Sequence, residues 1–152
     1  MLAAAFATVA LLPGLLTPTV AEVKTQTPLP ILLPDRFPSD YDELYPYGGG
    51  SEKEYAIGLS AAPECGGADA CFVASFSAQR GGEPWGPRTA TLAKGIQGRY
   101  KPLTCGGSCS PPTIEWKQRG VTYRIQANVG TKRTERRLMV KMANEAIRRG
   151  PR

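Results

Sequence analysis

The stretch IEWKQRGVTYRIQANV, residues 114–129, decides the fold class. In its second half Val121, Tyr123, Ile125, Ala127 and Val129 alternate with Thr122, Arg124, Gln126 and Asn128. That is strand period, with one apolar and one polar face. Ile114, Glu115, Trp116 and Lys117 form a preceding strand, and Arg119-Gly120 is the turn between them. Gly120 takes positive φ at no steric cost. So short a connection makes the two strands an antiparallel hairpin. Trp116 and Tyr123 are the expected aromatic anchors of the core.

Working outward, the period changes after Gly130. Thr134 is a plausible N-cap, with Glu135 at the positive end of the helix dipole. Leu138, Met139, Met142, Ala143, Ala146 and Ile147 cover one side of a helix, and Arg137, Lys141, Asn144, Glu145 and Arg148 the other. Gly150-Pro151 stops it. Such a helix has an obvious place on the apolar face of the hairpin. Upstream, Tyr55, Ile57 and Leu59 mark one strand and residues 71–76 a second. Residues 89–100 read as a third, marked by Leu92, Ile96 and Tyr100 and bent at Gly95 or Gly98. The expected class is α+β: an antiparallel sheet of four to five strands covered by one C-terminal amphipathic helix.

The cysteines form two tight pairs, Cys65-x5-Cys71 and Cys105-x3-Cys109, each enclosing Gly-Gly. Four cysteines allow three connectivities. Loop entropy gives a local bridge roughly 2 kcal/mol and a long one roughly 4, so it does not choose between them. The glycines let the chain turn back sharply, which favours Cys65–Cys71 and Cys105–Cys109 as structural clips. A four-cysteine zinc site competes, but its usual C-x2-C spacing is missing. A redox dithiol would want C-x2-C at a helix N-terminus, which is also missing.

The first third of the chain reads differently. Residues 2–20 carry no charge, and Pro13-Gly14 shortens the apolar run. Thr19-Val20-Ala21 offers small residues before Glu22. Residues 1–21 are therefore expected to be a secretory signal peptide, with a membrane anchor over 2–20 as the alternative. Residues 22–50 hold Pro28, Pro30, Pro34, Pro38 and Pro46, four acids between Asp35 and Glu43, and Gly48-Gly49-Gly50. That composition reads as an acidic Pro/Gly-rich linker. Within it, residues 29–34 (LPILLP) are apolar enough to dock on a partner or on the protein's own domain. Residues 51–152 remain as one disulfide-stapled domain.

The residues from Tyr55 to Leu59, the Cys65/Cys71 loop and Gly95-Ile96-x-Gly98-x-Tyr100 occur in an order that suggests a resemblance. Cys105-x3-Cys109-Ser110, Trp116-x3-Gly120-x2-Tyr123 and Met142-Ala143-Asn144-x-Ala146-Ile147 follow. The pattern resembles a group of small exported, cyanobacterial-type proteins over about residues 54–150. The resemblance implies export and the extent of the domain, and brings no catalytic residue with it.

The 152-residue chain has no histidine, which removes Ser-His-Asp and Cys-His catalysis and histidine metal sites. No cofactor or metal is expected. Candidate acids are Glu115, Glu64, Asp69 and Glu83, and strand position pairs Glu115 with none of them. No catalytic residue is assigned. Charge is the remaining clue. Residues 1–83 hold 10 acids and 4 bases, residues 84–152 hold 3 acids and 15 bases, and the net charge is +6. Lys132, Arg133, Arg136 and Arg137 crowd the helix entrance, where the dipole opposes cations. With Arg124 and Lys141 they are the candidate binding residues. The sequence thus implies an exported, non-catalytic module, periplasmic, lumenal or extracellular, that binds an anionic envelope partner through its basic half. The alternative is an accessory subunit of an envelope complex docked by residues 29–34. Nucleic acid is not an expected partner. A membrane is expected only through an uncleaved N-terminus. The acidic linker is expected to fold back on the Lys132–Arg137 region.

Overall fold

The computed structural model describes residues 8–65 and 68–152. Residues 1–7 of the expected leader and Gly66-Gly67 of the first cysteine loop lie outside them. The elements are β1 (Thr8–Leu11), α1 (Leu12–Lys24), β2 (Arg36–Ser39), β3 (Tyr45–Gly50), β4 (Glu54–Ser60), β5 (Phe72–Arg80) and β6 (Arg88–Thr91). They continue with β7 (Gln97–Lys101), β8 (Thr104–Cys105), β9 (Cys109–Ser110), β10 (Thr113–Gln118), β11 (Val121–Ala127) and α2 (Glu135–Arg149).

The hairpin that decides the fold is β10–β11. Arg119 and Gly120 both take positive φ, 50° and 78°, as a two-residue turn matching strand twist requires. The register sets Ile114 opposite Ile125 and Trp116 opposite Tyr123. The two rings stack at 5.6 Å and 21°, and both side chains are buried. Around this hairpin the chain builds an antiparallel sheet in the order β3-β4-β5-β11-β10-β7-β6. Two short ribbons, β1–β2 and β8–β9, stand outside it.

The class is α+β, but the sheet has seven strands, more than the four to five expected. Residues 89–100 are two strands, not one bent strand. Lys94 and Gly95 have φ of 58° and 70° and close a turn sealed by Leu92 N–H donating to the Ile96 carbonyl at 2.7 Å. The other added strand, β3, lies in the stretch read as a linker. Proline cannot sit in a central strand, yet it is allowed at an edge. Pro46 is on the edge strand of the sheet. Its position has the same parity as Gly50, whose N–H points away from β4 to Gln26 Oε1 at 2.8 Å.

Residues 22–50 are packed rather than free. Leu29, Ile31, Leu32, Leu33 and Phe37 are all buried on the apolar face of the sheet. Two tyrosines pin this strap. The Leu32 N–H donates to the Tyr55 hydroxyl at 3.1 Å, and the Tyr123 hydroxyl donates to the Pro30 carbonyl at 3.1 Å. Residues 29–34 are therefore a docking segment for the protein's own domain.

Helix α1 covers the β3–β4 end of the same face. Leu12, Leu16 and Val23 are 1%, 1% and 0% exposed. The glycines of β3 permit the approach: a Cβ at Gly48 would stand 3.0 Å from Thr19 Cγ2 and 3.1 Å from Val23 Cγ2. The helix runs through the Ala21–Glu22 bond without interruption. Among the described residues no helix is long and apolar enough to cross a membrane.

Helix α2 lies over β10 and β11 and buries Met139, Met142, Ala143, Ala146 and Ile147. Asn144 ties it to the β6–β7 turn, accepting the Ala93 N–H at 2.7 Å. The disulfides are Cys65–Cys71 and Cys105–Cys109, with Cα atoms 6.3 and 4.0 Å apart. No cysteine is left for a four-sulfur metal site. Two structural disulfides fit an oxidising, exported environment.

Candidate functional site

The basic residues singled out in the sequence fall on different surfaces. Arg136 is at the start of α2 and reaches the β6 edge. Its Nη2 donates to the Thr89 carbonyl at 2.7 Å, and its guanidinium carbon is 5.4 Å from the centre of the Tyr100 ring. It thus covers an edge-strand carbonyl and stacks on an aromatic face. Its neighbour Glu135 is buried and accepts the Tyr100 hydroxyl at 2.8 Å and the Leu103 N–H at 3.2 Å. A carboxylate in the first turn of α2 suits the helix dipole. Burial, then the bond to Glu135, pushes the Tyr100 hydroxyl above the usual tyrosine range. Arg136 and Arg88 both act on that hydroxyl in the opposite sense, which places Arg88 at the same end of the molecule. Arg136 is therefore a clamp between α2 and the sheet as much as a surface cation.

The remaining cations of the group project outward. Lys132 and Arg133 are exposed in the turn before α2, and Arg137, Lys141 and Arg148 are exposed along it. Among the described residues none of these five is in an ion pair. Arg137, Lys141 and Arg148 follow one another at four and seven residues, hence on one helix face. At 1.5 Å per residue they span about 16 Å. Like charges at that spacing repel. The face is held in this state by the packing of α2, not by its charges.

Arg124 does not belong to this surface. It lies on the opposite side of the sheet, where its Nε is 3.5 Å from Glu115 Oε1. Strand alternation sets Glu115 on the same outer face, opposite Arg124 in the β10–β11 register. Its side chain is only 14% exposed, because the 81–87 loop crosses over it and the Trp85 N–H donates to its Oε2 at 2.6 Å. Glu83, on the same loop, pairs with Lys117 at 2.5 Å. The other two acids are elsewhere: Asp69 is in a 3-10 turn before β5, and Glu64 precedes the Cys65 bridge.

The acidic linker folds back on both ends of α2. Asp40 and Tyr41 line a cavity of about 210 Å³ with Lys132 and Glu135 at the helix entrance, while the linker's ion pairs lie at the other end. Asp35 Oδ1 is 2.6 Å from Arg152 Nη2 and 3.6 Å from Arg149 Nε. Glu145 Oε1 accepts the N–H groups of Asp35 and Arg36 at 2.6 and 2.7 Å. Arg152 also donates to the carbonyls of Leu33 and Pro34. At the C-terminal end Arg149 and Arg152 are thus tied to Asp35, while Arg148 and, among the described residues, the cations Lys132, Arg133 and Arg137 at the helix entrance are in no ion pair. The helix dipole had already set the entrance cluster apart in the sequence; the pairing of Arg149 and Arg152 with Asp35 depends on the fold.

Comparison of the chain with protein-family models, with curated proteins and with solved structures gives no match in any of the three.

Proposed function

We propose that this is an exported, non-catalytic module that holds an acidic polysaccharide of the cell envelope on the exposed face of α2. One observation carries the reading. Lys132, Arg133, Arg137, Lys141 and Arg148 are exposed and free of ion pairs among the described residues, while Arg149 and Arg152 at the far end are paired with Asp35. A polymer with regularly spaced charge fits a row of cations at helical spacing better than a compact anion does. Among the described residues the exposed large apolar side chains are Val9 and Leu11 on β1, Trp85 on the outer sheet face, and Tyr41, which shares a cavity with Lys132 at one end of the row. A single tyrosine is far less apolar surface than a helix inserted into lipid presents, which favours a hydrated polyanion over a lipid surface. The non-catalytic part of the reading is supported by the acids. Glu83 and Glu115 are each bonded to a cation, and Asp35 and Glu145 hold the strap.

The test is binding of the whole protein to an immobilised uronic-acid polysaccharide, beside its neutral counterpart and beside anionic vesicles. Lys132, Arg133, Arg137 and Lys141 are replaced together by Ala. Four exposed cations at about 0.5 kcal/mol each give about 2 kcal/mol, or about 30-fold weaker binding. Raising salt toward 1 M should have a similar effect, because the screening length falls to about 3 Å. Equal binding of the quadruple variant refutes the proposal. Binding to vesicles but not to polysaccharide moves the partner to the lipid surface and overturns the polymer reading.

A further inference from the structure

We infer a second, separate site on the outer face of the sheet, which takes a neutral oligosaccharide. An open groove of about 760 Å³ lies there. Its shape follows from the sequence. The outward positions of β4 and β5 are small: Ala56 and Gly58 face Ser77 and Ser75 across the pair. Small residues leave a trough over the middle of the sheet. At one side Tyr47 lies over Gly58, where a Cβ would overlap its ring. At the other side the 81–87 loop rises and presents Trp85, 63% exposed.

The exposed tryptophan is held in position. Its backbone N–H donates to Glu115 Oε2 at 2.6 Å, which fixes the loop at this residue, and Lys101 Nζ stands 5.5 Å from the centre of its ring. An exposed aromatic side chain on a fixed stretch of backbone is a recognition element rather than a core residue left outside. Between Tyr47 and Trp85 the lining carries Ser77, Gln79, Thr122, Arg124 and Glu54, a mixture of donors and acceptors. That mixture fits hydroxyl groups, which both donate and accept. Flat aromatic faces fit the C–H faces of sugar rings.

The same lining argues against other ligands. It holds Glu54, Glu83 and Glu115 against the single cation Arg124, so an anion is disfavoured. β4, β5 and β11 are each paired on both sides, so no strand edge is free in the floor for an extended peptide.

The experiment is titration of the whole protein with a panel of neutral hexasaccharides, both β- and α-linked, followed by tryptophan fluorescence and calorimetry. Trp116 is buried, so a change in emission reports Trp85. At least one member of the panel should bind and shift that emission. Trp85→Ala should weaken binding about tenfold or more and Trp85→Phe should restore part of it. Tyr47→Ala should weaken it too, and circular dichroism checks that each variant is folded. Replacing Lys132, Arg133, Arg137 and Lys141 should leave it unchanged. No binding by any member at millimolar concentration overturns the inference. So does binding that survives both aromatic substitutions.

Discussion

Replacing Leu16 by Ala tests whether α1 is part of the folded domain. Leu16 is 1% exposed, on the side of α1 that Leu12 and Val23 also bury. Truncating a fully buried leucine costs about 2–5 kcal/mol, and the spread depends on how far the surroundings relax. Beside Leu16 runs an open groove of about 390 Å³, also lined by Leu12, Val20 and Leu33. Solvent can therefore reach the space left behind, and the cost belongs at the low end, about 2–3 kcal/mol. With a urea slope of about 1–3 kcal/mol per molar, the midpoint falls by about 0.7–3 M. The assay is urea unfolding followed by far-ultraviolet circular dichroism, with the exposed Thr17→Ala as control. The slope should be unchanged. A midpoint within about 0.3 M of the parent, near 0.5 kcal/mol, would refute the packing of α1. A chain starting at Glu22 loses Leu12 and Leu16 together and should be less stable than the single variant.

Arg152→Ala removes donors to Leu33, Pro34 and Asp35, and should lower unfolding free energy by about 1–3 kcal/mol in the same assay. No loss would mean that the strap does not depend on this end of the chain. Stability should also fall as pH rises above about 10. Burial raises the hydroxyls of Tyr55, Tyr100 and Tyr123, so the folded state holds protons that the unfolded state has already released. Thermal melts between pH 8 and pH 11 check the sign, and a melting temperature that rises over that range would refute it. Cys105–Cys109 closes a short loop outside the main sheet. Replacing both cysteines by Ser should cost about 2 kcal/mol and lower the melting temperature by about 4–8 °C without unfolding the domain. Complete unfolding would show that the bridge holds more than its own ribbon.

The strands around Trp116 and Tyr123 were legible because a half-buried strand writes its period into the chain. The helix was legible for the same reason, and it lies where the apolar face of the hairpin predicts. β3 was not legible. Pro46 and three glycines give it no strand propensity, and it exists because β4 offers an edge and α1 needs close backbone approach at Gly48. The 88–101 hairpin was read as one strand because Gly95 signals a bend and a turn alike. The strap at residues 29–35 was visible as apolar, and its destination depended on Tyr55 and Tyr123, which no local pattern connects to it. The two surfaces show the same limit. Composition located the cations, but only the fold shows that Arg136 is a clamp, that Arg124 faces the other side, and that Trp85 stands at the rim of a groove. The signal in the chain for that groove was weak: an exposed-type Trp between Pro84 and Gly86, opposite strands whose outward residues are small.

The measurement that bears most directly on the proposed function is a chemical-shift map of the whole, isotope-labelled protein titrated with a uronic-acid oligosaccharide at low salt. The account predicts shifts at Lys132, Arg133, Arg137, Lys141 and Arg148, reversed by added salt, with the signals of Tyr47, Trp85 and Arg124 unmoved. An unchanged spectrum, or shifts confined to the outer groove, would contradict it.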